Sequence, residues 1–388
     1  MLPGQIGNSG SPVGNRSMKI CYVADGASIH TQRWVNYFAK KGHEVHLICW
    51  KLMPGYNENV HIHLLTRLAP KIWAASQYLS ALLWVFQTRR LINKIKPDIV
   101  HGHFITVYGF LAAFSGFHPL VVSAWGSDVL IHPKRNFFLK AIIKYVLKKA
   151  DIVTSDAEHL KIVLIELGTA PKKIKLAYFG TDTDKFKPAQ RNKKLQEELE
   201  IADSPTVISV KSLEPIYDID SLIKSIPPVL KEIPEAKFVI AGGGSQEAKL
   251  KEQAKSLGIS QSVKFTGRIP NDRLPEYLNS ADIYVSTSLS DAGLAASTAE
   301  AMACGLPVVI TDFGDNKKWI EDGTSGFLIT IKNPEALASK IIQLICNKEM
   351  RDKFGQINRQ IIEERNDWQK ETRKREELYE VLKIRSRK

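Results

Sequence analysis

The chain has 388 residues, of which 44% are hydrophobic and 24% are charged, a balance that indicates a globular protein with full cores. That length predicts two domains of ordinary size. Four widely spaced cysteines without a CxxC pair argue against a disulfide framework and a zinc site, and they indicate a reducing, cytoplasmic setting. No apolar run approaches the ~20 residues that a transmembrane helix requires.

The formal net charge of +13 is unevenly distributed. Residues 1–187 contain 24 Lys and Arg against 11 Asp and Glu, whereas residues 188–388 contain 30 of each kind. We therefore expect the first half to meet an anionic partner, either nucleic acid or an anionic membrane. Two stretches, 67–96 and 132–150, combine basic and aromatic residues on predicted helices, and nothing resembles a nucleic-acid-binding module. The alternative for each stretch is an ordinary surface helix that covers the sheet.

The first half alternates apolar strands with helices. Residues 1–17 are rich in Gly, Ser, Pro and Asn and are predicted to be disordered. Strands are predicted at 19–24, 44–50, 60–65, 99–104, 120–125, 151–155 and 174–179, with helices at 30–41 and 74–96. Continuous apolar strands separated by helices are typical of a parallel sheet that is covered on both faces. We therefore predict a Rossmann-like N-terminal domain over residues 18–187.

The second half repeats this arrangement. Strands are predicted at 207–210, 238–241, 263–266, 283–285, 308–310 and 327–329. The polar stretch 188–204 is the predicted linker, 205–364 the predicted C-terminal Rossmann-like domain, and 365–388 an amphipathic helix. The predicted fold class is thus α/β, with two doubly wound parallel sheets whose carboxyl ends would face a shared cleft.

Candidate ligand-binding residues follow the predicted strands. Gly26 lies in the turn after the first strand, where backbone N–H groups can approach an anion, although a simple tight turn is the alternative. Lys211 ends the first strand of the second domain and is the candidate for binding a diphosphate. Arg268, in a later loop, is a further candidate or an exposed residue. The glycines at 242–244 lack the third spaced glycine of a dinucleotide-binding fingerprint, which argues against a dehydrogenase.

A pair of histidines closes the fourth predicted strand. Strand alternation places His101 and His103 on the same side of the sheet, so both point toward a ligand or both point into the packing. A metal site would need a third ligand, which the sequence does not indicate. Buried, hydrogen-bonded histidines without a catalytic role are the alternative.

Residues 283–326 contain the main candidates for a ligand-binding site. A short apolar strand leads into the polar loop 288–293, then into a helix of small residues at 295–304, and then into a second buried strand. This order is a βαβ unit, whose loops at the strand carboxyl ends gather a ligand. Glu300 is a lone carboxylate on a close-packed helix, where burial without a partner is costly. The alternative is an exposed Glu in the first turn, favoured by the helix dipole.

This stretch resembles the donor-sugar loop of retaining glycosyltransferases of the GT-B fold, the family 4 group (glycosyl transferases group 1). Those proteins carry a Glu before the pattern Ala-Met-Ala-x-Gly-x-Pro-Val-Val, and residues 300–309 here read EAMACGLPVV. The resemblance extends over most of residues 18–385. It includes SIHTQRW at 28–34, the Gly-Ser-Asp turn at 126–128 and FGTD at 179–182. In GT-B proteins a C-terminal helix returns to the first domain, and the resemblance implies the same for residues 365–388.

The resemblance implies roles for individual residues of the donor site. Glu300 would hold the ribose hydroxyls of a nucleotide-sugar, Gly293 and Leu294 would belong to the donor-binding loop, and His103 would lie near the donor sugar. The family also has an acid eight positions before its Glu, and position 292 is Ala here. The nearest acid, Asp291, is the catalytic candidate together with His103.

A second departure concerns the diphosphate. The family commonly has an Arg just before Leu213 and a Lys four residues after it, and these positions are Ser212 and Tyr217 here. Either Lys211 substitutes for this basic pair or the diphosphate is held more weakly.

The resemblance implies an enzyme that transfers a sugar from a nucleoside-diphosphate sugar to an acceptor hydroxyl, with retention of configuration. The acceptor would be a lipid-linked glycan or a polysaccharide precursor. We expect no cofactor, no metal and no nucleic acid. A cytoplasmic protein is expected, peripheral at the inner face of an anionic membrane.

Two alternatives stay open. A nucleotide-sugar epimerase of the same fold would bind the same donor, and the pair His101 and His103 would then remove a proton. A non-catalytic, membrane-associated nucleotide-sugar-binding protein would account for the departures at 212, 217 and 292.

Overall fold

The computed structural model describes residues 17–66, 75–135, 137–291 and 293–386. The predicted disordered segment therefore lies outside the described residues except for Ser17, and so does Ala292. The chain forms two compact units, Met1–Val121 with Leu382–Lys388, and Val122–Val381.

The first sheet has seven strands in the order β3-β2-β1-β4-β5-β6-β7. The strands are β1 (Lys19–Val23), β2 (Glu44–Cys49), β3 (Val60–Leu64), β4 (Ile99–His103), β5 (Leu120–Ala124), β6 (Ile152–Ser155) and β7 (Ile174–Leu176). The pairs β1–β2, β1–β4, β2–β3 and β6–β7 are parallel. Strands β4, β5 and β6 are buried along their whole length, as expected of parallel strands covered on both faces.

The second sheet has six strands in the order β10-β9-β8-β11-β12-β13. They are β8 (Thr206–Val210), β9 (Lys237–Ala241), β10 (Val263–Gly267), β11 (Ile283–Ser286), β12 (Val308–Thr311) and β13 (Gly326–Ile329). All neighbouring strands run parallel. Alternate residues face opposite cores, because Val207, Phe238 and Ile240 join one apolar cluster while Ile208 and Val239 join the other.

Helices connect the strands and cover the sheets. In the first sheet they are α1 (Ile29–Lys40), α2 (Ala75–Ile95), α3 (Phe110–Phe114), α4 (Ser127–Leu130), α5 (His132–Arg135), α6 (Phe137–Lys149) and α7 (Glu158–Glu166). The later ones are α8 (Lys193–Glu198), α9 (Ile219–Glu232), α10 (Glu247–Ser256), α11 (Leu274–Asn279), α12 (Ala296–Ala303), α13 (Asn316–Trp319), α14 (Pro334–Cys346), α15 (Lys348–Arg365) and α16 (Trp368–Ser386).

Both sheets are doubly wound, with the strand order reversing next to the first strand. The reversal lies between β1 and β4 in the first sheet and between β8 and β11 in the second. Ligands of such sheets bind outside the strand carboxyl ends at this switch point. The predicted α/β fold of two Rossmann-like sheets is therefore confirmed.

The chain between the two sheets is more ordered than the predicted linker 188–204 suggests. It contains α8, whose Asn192 side chain accepts a hydrogen bond from the Leu195 amide. Leu195, Leu199 and Ile201 are buried in a core of the second sheet. In the sequence, the signal for this helix was the spacing of the apolar residues Leu195 and Leu199 within a charged stretch. The exact domain bounds stay a prediction.

The C-terminal stretch predicted as one amphipathic helix is α16, which begins at Trp368. Arg375 is fully buried and donates to the carbonyl oxygens of Ala177 and Tyr178. In the other compact unit, Lys383 Nζ lies 2.8 Å from Asp98 Oδ2. Among the described residues, no helix combines the length and the apolar character that crossing a membrane requires.

Candidate functional site

A cation and an anion meet at the switch point of the second sheet. Lys211 directly follows β8, and Asp291 lies in the loop after β11. Lys211 Nζ lies 2.8 Å from Asp291 Oδ2, and the two side chains are only 6% and 17% exposed. The pair therefore occupies the place where a doubly wound sheet binds its ligand.

The environment of Lys211 keeps this side chain charged. Burial is the largest single influence and lowers the pKa of Lys211, but the Asp291 carboxylate together with Tyr284 and Tyr217 outweighs it, and the pKa lies above its usual value. The ring of Tyr217 lies 5.4 Å from the Lys211 Nζ and adds a cation–π contact. Tyr217, at the position where the family commonly has Lys, thus contacts the residue that we predicted to act in its place.

The glycines at 242–244 allow the loops after β8 and β9 to pack closely. A Cβ on Gly242, whose φ is +150°, would lie 1.8 Å from the carbonyl oxygen of Lys211. A Cβ on Gly244 would lie 2.4 Å from the carbonyl oxygen of Leu213. The sequence prediction used these glycines only to argue against a dehydrogenase. Their role is to let the backbone pass behind Lys211.

Arg268 lies beside the same glycines. A Cβ on Gly243 would come within 3.4 Å of Arg268 Cγ, and the Leu213 amide donates to the Gly243 carbonyl oxygen at 3.1 Å. The loops after β8, β9 and β10 are therefore neighbours, and they bring exposed Arg268 near the loop that bears Lys211. The two predicted diphosphate-binding residues belong to one region.

The loop from β11 to α12 contains the remaining predicted donor residues. A Cβ on Gly293 would lie 2.9 Å from the carbonyl oxygen of Asp156, so only a glycine fits this close approach. Leu294 packs on the core of the second sheet. Ala292, the position of the family's acid, lies outside the described residues.

Glu300 is the fifth residue of α12 and is 9% exposed. The alternative of an exposed first-turn Glu is therefore wrong. After burial itself, the charge of Glu300 is the next cause that raises the pKa of Cys304 to about 12. A buried carboxylate on a helix of small residues, Ala301 and Ala303 among them, matches the environment expected of a ligand-binding Glu.

Two Asp-x-Asp triplets could in principle hold a divalent cation in a transferase. In one of them, the Asp182 carboxylate accepts a hydrogen bond from the Lys185 amide. In the other, Asp218 accepts from the Ser221 hydroxyl, and Asp220 forms an ion pair with Lys224 at 2.6 Å. These carboxylates support their own turns, and the expectation that catalysis needs no metal stays a prediction.

In the first compact unit, Gly26 lies in the turn between β1 and α1. A Cβ there would lie 2.4 Å from the carbonyl oxygen of Lys51. The Tyr56 hydroxyl and the Met53 amide both donate to the Gly26 carbonyl oxygen at 3.0 Å. The glycine thus allows the turn to pack against residues 51–56, and its predicted contact with an anion stays a prediction.

His103 ends β4 at the switch point of the first sheet. Its side chain is fully buried, and its Nδ1 lies 3.3 Å from the Thr31 hydroxyl. The ring contacts Tyr22, Trp34 and His101, with centroids 5.2, 4.8 and 4.7 Å away. His101 and His103 therefore share one side of the sheet, as predicted, and both pack against aromatic rings. The catalytic role of His103 stays a prediction.

A half-buried acid that the sequence analysis missed directly follows β6. Burial, and after it the charge of Asp128, raise the pKa of Asp156 to about 7. Within the described part of the chain, Asp156 Oδ1 accepts no hydrogen bond. The neighbouring Asp128 accepts from the amides of Trp125 and Gly126 at 3.1 Å, which closes the predicted Gly-Ser-Asp turn. The sequence does contain a signal for Asp156, because it is a polar residue directly after an apolar strand.

A cavity of about 810 Å³ opens beside the loops of the second sheet. Its lining includes Glu214, Lys224, Leu289, Lys332 and Glu335. None of the predicted donor-binding residues lines it. The site at the switch point is therefore defined by charge and loop contacts, not by this cavity.

Two family models match the chain. The model of the 4-like glycosyl transferases matches residues 19–157, and that of the glycosyl transferases group 1 matches residues 190–361. An uncharacterized glycosyltransferase of Methanocaldococcus jannaschii is 26% identical over 247 residues, which are 63% of this chain and 62% of that protein. The chain thus covers less than two thirds of this relative.

A second relative has a more specific name. The GDP-mannose-dependent α-(1-6)-phosphatidylinositol monomannoside mannosyltransferase of Mycolicibacterium smegmatis is 25% identical over 66% of this chain and 68% of its own. Among solved structures, HepE of Anabaena in complex with UDP-glucose has a TM-score of 0.78 and 20% identity. That match covers 94% of this chain and all of HepE, and it shows the fold. With both family models spanning most of its length, the chain belongs to the group 1 glycosyl transferases, family 4-like proteins of the GT-B fold.

Proposed function

We propose that this chain transfers a hexosyl group from a nucleoside-diphosphate sugar to an acceptor hydroxyl, with retention of the anomeric configuration. The observation that carries the proposal is the Lys211–Asp291 pair at the switch point of the second sheet. A buried cation at the carboxyl end of parallel strands suits a phosphate group. Family membership supplies the reaction class.

The donor would contact three elements of the second sheet. Lys211 and Arg268 hold the diphosphate, and Glu300 accepts hydrogen bonds from the ribose hydroxyls. Because Lys211 is bound to Asp291 in the free chain, a diphosphate would compete for the ammonium. Asp291 would then be available to face the sugar, the role of the family's acid that is missing at position 292.

The chemistry requires no protein nucleophile in this proposal. The acceptor oxygen forms the new bond to the anomeric carbon as the bond to the donor phosphate breaks, on the same face of the sugar. The leaving phosphate oxygen takes the proton of the acceptor hydroxyl. The protein contributes orientation, and Lys211 and Arg268 stabilise the negative charge that develops on the leaving diphosphate.

The acceptor is proposed to be lipid-linked, because α6 presents apolar and basic side chains together. Phe137 and Phe138 are 79% and 77% exposed, whereas the inner stripe of the helix contains buried Ile143, Val146 and Leu147. The same helix also carries exposed lysines at 140, 144, 148 and 149. Exposed aromatics beside lysines suit an anionic membrane surface. The Mycolicibacterium relative is named for a phosphatidylinositol mannoside acceptor.

The test is a donor panel followed by product analysis. Purified chain is first screened with UDP-, GDP- and ADP-sugars by thermal shift, because a bound ligand raises the melting temperature by mass action. The best donor is then incubated with lipid extract or with soluble glycans, with and without EDTA. We expect a glycosylated lipid whose anomeric configuration, measured by NMR, equals that of the donor.

Four outcomes would contradict parts of the proposal. Inverted configuration would exclude retention, and loss of activity in EDTA would exclude a metal-free reaction. Conversion of the nucleotide-sugar into its epimer without an acceptor would identify an epimerase. Donor binding with neither transfer nor hydrolysis would identify a non-catalytic binding protein. The Glu300→Gln variant serves as the control for activity that arises from a contaminant.

A further inference from the structure

Four polar side chains share one face at the edge of the first sheet. Glu44 and His46 lie on β2, and His61 and His63 lie on β3, which is the edge strand. The two strands pair in parallel with His46 opposite His61. Because alternate residues of a strand share a face, this register places all four side chains on the same side of the sheet.

Three of these side chains converge on one point. The ligand atoms of Glu44, His46 and His61 all lie within 4.8 Å of one another. His46 Nε2 lies 3.0 Å from Glu44 Oε1, and the rings of His46 and His61 are stacked with centroids 4.7 Å apart. Tetrahedral metal–ligand bonds of about 2.0–2.2 Å place ligand atoms about 3.4 Å apart, so these atoms would have to approach one another by at most about 1.4 Å.

The fourth side chain orients the central ligand. His63 Nε2 lies 2.9 Å from His46 Nδ1, and the two rings are stacked at 5.2 Å. A metal-binding histidine usually uses its second ring nitrogen in such a hydrogen bond, which fixes the tautomer and the direction of the ring. His46 therefore has one nitrogen held by His63 and the other directed at Glu44.

The burial of the group suits a site that is filled from solution. His46 is 8% exposed and anchors the group, whereas His61 is exposed and the Glu44 side chain is 42% exposed. Lys19 Nζ lies 2.9 Å from Glu44 Oε1 and neutralises this carboxylate. A divalent cation would take the place of the lysine ammonium, which is partly exposed and can move into solvent.

We propose that Glu44, His46 and His61 bind a divalent transition metal, with Zn²⁺ the best match, and that His63 is a positioning residue for His46. Two imidazoles and one carboxylate form a ligand set that Zn²⁺ accepts, with water as the fourth ligand. The metal joins β2 to the edge strand β3 and thereby stabilises this edge of the sheet. The site is separate from the proposed donor site, and it does not depend on the transferase activity.

The experiment uses the full chain without an affinity tag, stripped with EDTA and dialysed. Isothermal titration with ZnCl₂ alone should show one bound equivalent, and Zn²⁺ should raise the melting temperature. His61→Gln changes an exposed ligand and should keep the fold while weakening Zn²⁺ binding at least tenfold. His118→Gln, which changes an exposed histidine of the same compact unit, should bind like the unchanged chain.

The role of His63 is tested separately. His63→Gln should retain the stoichiometry of one and lose about tenfold in affinity, because second-sphere partners are worth 10–100-fold. Co²⁺ titrated in place of Zn²⁺ should give the visible absorption of a tetrahedral ion, and His61→Gln should abolish it. The proposal fails if the unchanged chain binds no stoichiometric Zn²⁺, or if His61→Gln and His118→Gln bind Zn²⁺ equally. Equal binding would identify an adventitious site elsewhere on the surface.

Discussion

The switch points of the two sheets have the same strand topology, but different kinds of side chain surround them. In the second sheet, charged Lys211 and Asp291 meet at 2.8 Å, and Arg268 lies exposed close by. In the first sheet, His103 is fully buried and packs against the rings of Tyr22 and Trp34. Charged side chains form one strand-end region, and packed aromatic rings form the other.

This difference shows that the fold supplies a position for a ligand, while the side chains decide its chemistry. Charged groups of limited exposure suit a diphosphate, because low local polarity strengthens their attraction to an anion. A histidine enclosed by aromatic rings is held rigidly and meets solvent only after a rearrangement. The comparison leads to four predictions, ordered from the largest expected effect to the smallest.

The strongest test of the charged switch point is Lys211→Met. This change leaves the mostly buried Asp291 carboxylate without its ammonium partner, and breaking such a pair typically costs about 3–5 kcal/mol. We expect a lower melting temperature and a large loss of turnover. The double variant Lys211→Met with Asp291→Asn should recover the melting temperature but not the turnover. Equal turnover in the single variant and the unchanged chain would assign the diphosphate to Arg268 or to backbone N–H groups.

Asp156 is a half-buried acid, in contrast to Asp291, which pairs with Lys211. Its folded-state pKa of about 7 exceeds the ordinary value of 3.8, so ionisation is unfavourable in the folded chain. This penalty is absent below pH 3.8, grows as pH rises, and is complete above pH 7, where it reaches up to about 4 kcal/mol. Asp156→Asn should therefore raise the melting temperature at pH 8 and change it much less at pH 5.

The matched control for this prediction is Asp184→Asn, which changes an exposed carboxylate of the same compact unit. It should leave the pH dependence of the melting temperature unaltered. A stabilisation by Asp156→Asn that is equal at both pH values would mean that ionisation of Asp156 is not its cause.

A substitution of Glu300 tests whether this residue binds the ribose of the donor. A hydrogen bond to a buried charged group contributes about 1.5–3 kcal/mol, so Glu300→Gln should weaken donor affinity at least tenfold with the fold intact. The measurement is titration with UDP-glucose and with GDP-mannose. Glu252→Gln, an exposed residue of α10, is the control. Unchanged affinity of the Glu300 variant would remove this residue from the donor site.

The smallest effect per residue is expected at the basic face of α6. Each Lys near an anionic membrane contributes about 1 kcal/mol, and salt screens this attraction over ~8 Å. Changing Lys140, Lys144, Lys148 and Lys149 together to Glu should abolish co-sedimentation with anionic liposomes. Changing four exposed lysines of the second half, at 231, 249, 255 and 332, should have little effect. Equal sedimentation of both variants would favour a soluble acceptor.

Much of the fold could be predicted because it follows from local patterns. Every predicted strand exists, since each is a short apolar run bounded by a turn or a helix. The predicted strand bounds are wrong where the local sequence pattern is weak. The predicted strand at 174–179 ends at Leu176, because the backbone amides of residues 178 and 181 bond to α16 and its preceding turn.

The candidate site could be predicted in part. Lys211 and Glu300 were identified from their positions after a strand and on a helix of small residues, and both are buried as a binding role requires. The pairing of Lys211 with Asp291 was not predictable, because 80 residues separate them and only the strand order brings β8 beside β11. The close approach of Gly242 to Lys211 depends on the neighbouring pair β8 and β9 in the same way.

The sequence by itself determined the alternation of strands and helices, the charge asymmetry and the Glu300 motif, because these depend on residues close together in the chain. Only the tertiary structure decided which side chains of different strands meet. Lys211 meets Asp291 because β8 lies beside β11, and His46 meets His61 because β2 and β3 pair in that register. A shift of one residue in the register would turn His61 to the opposite face. Contacts across strands are fixed by register, which packing of the whole sheet determines.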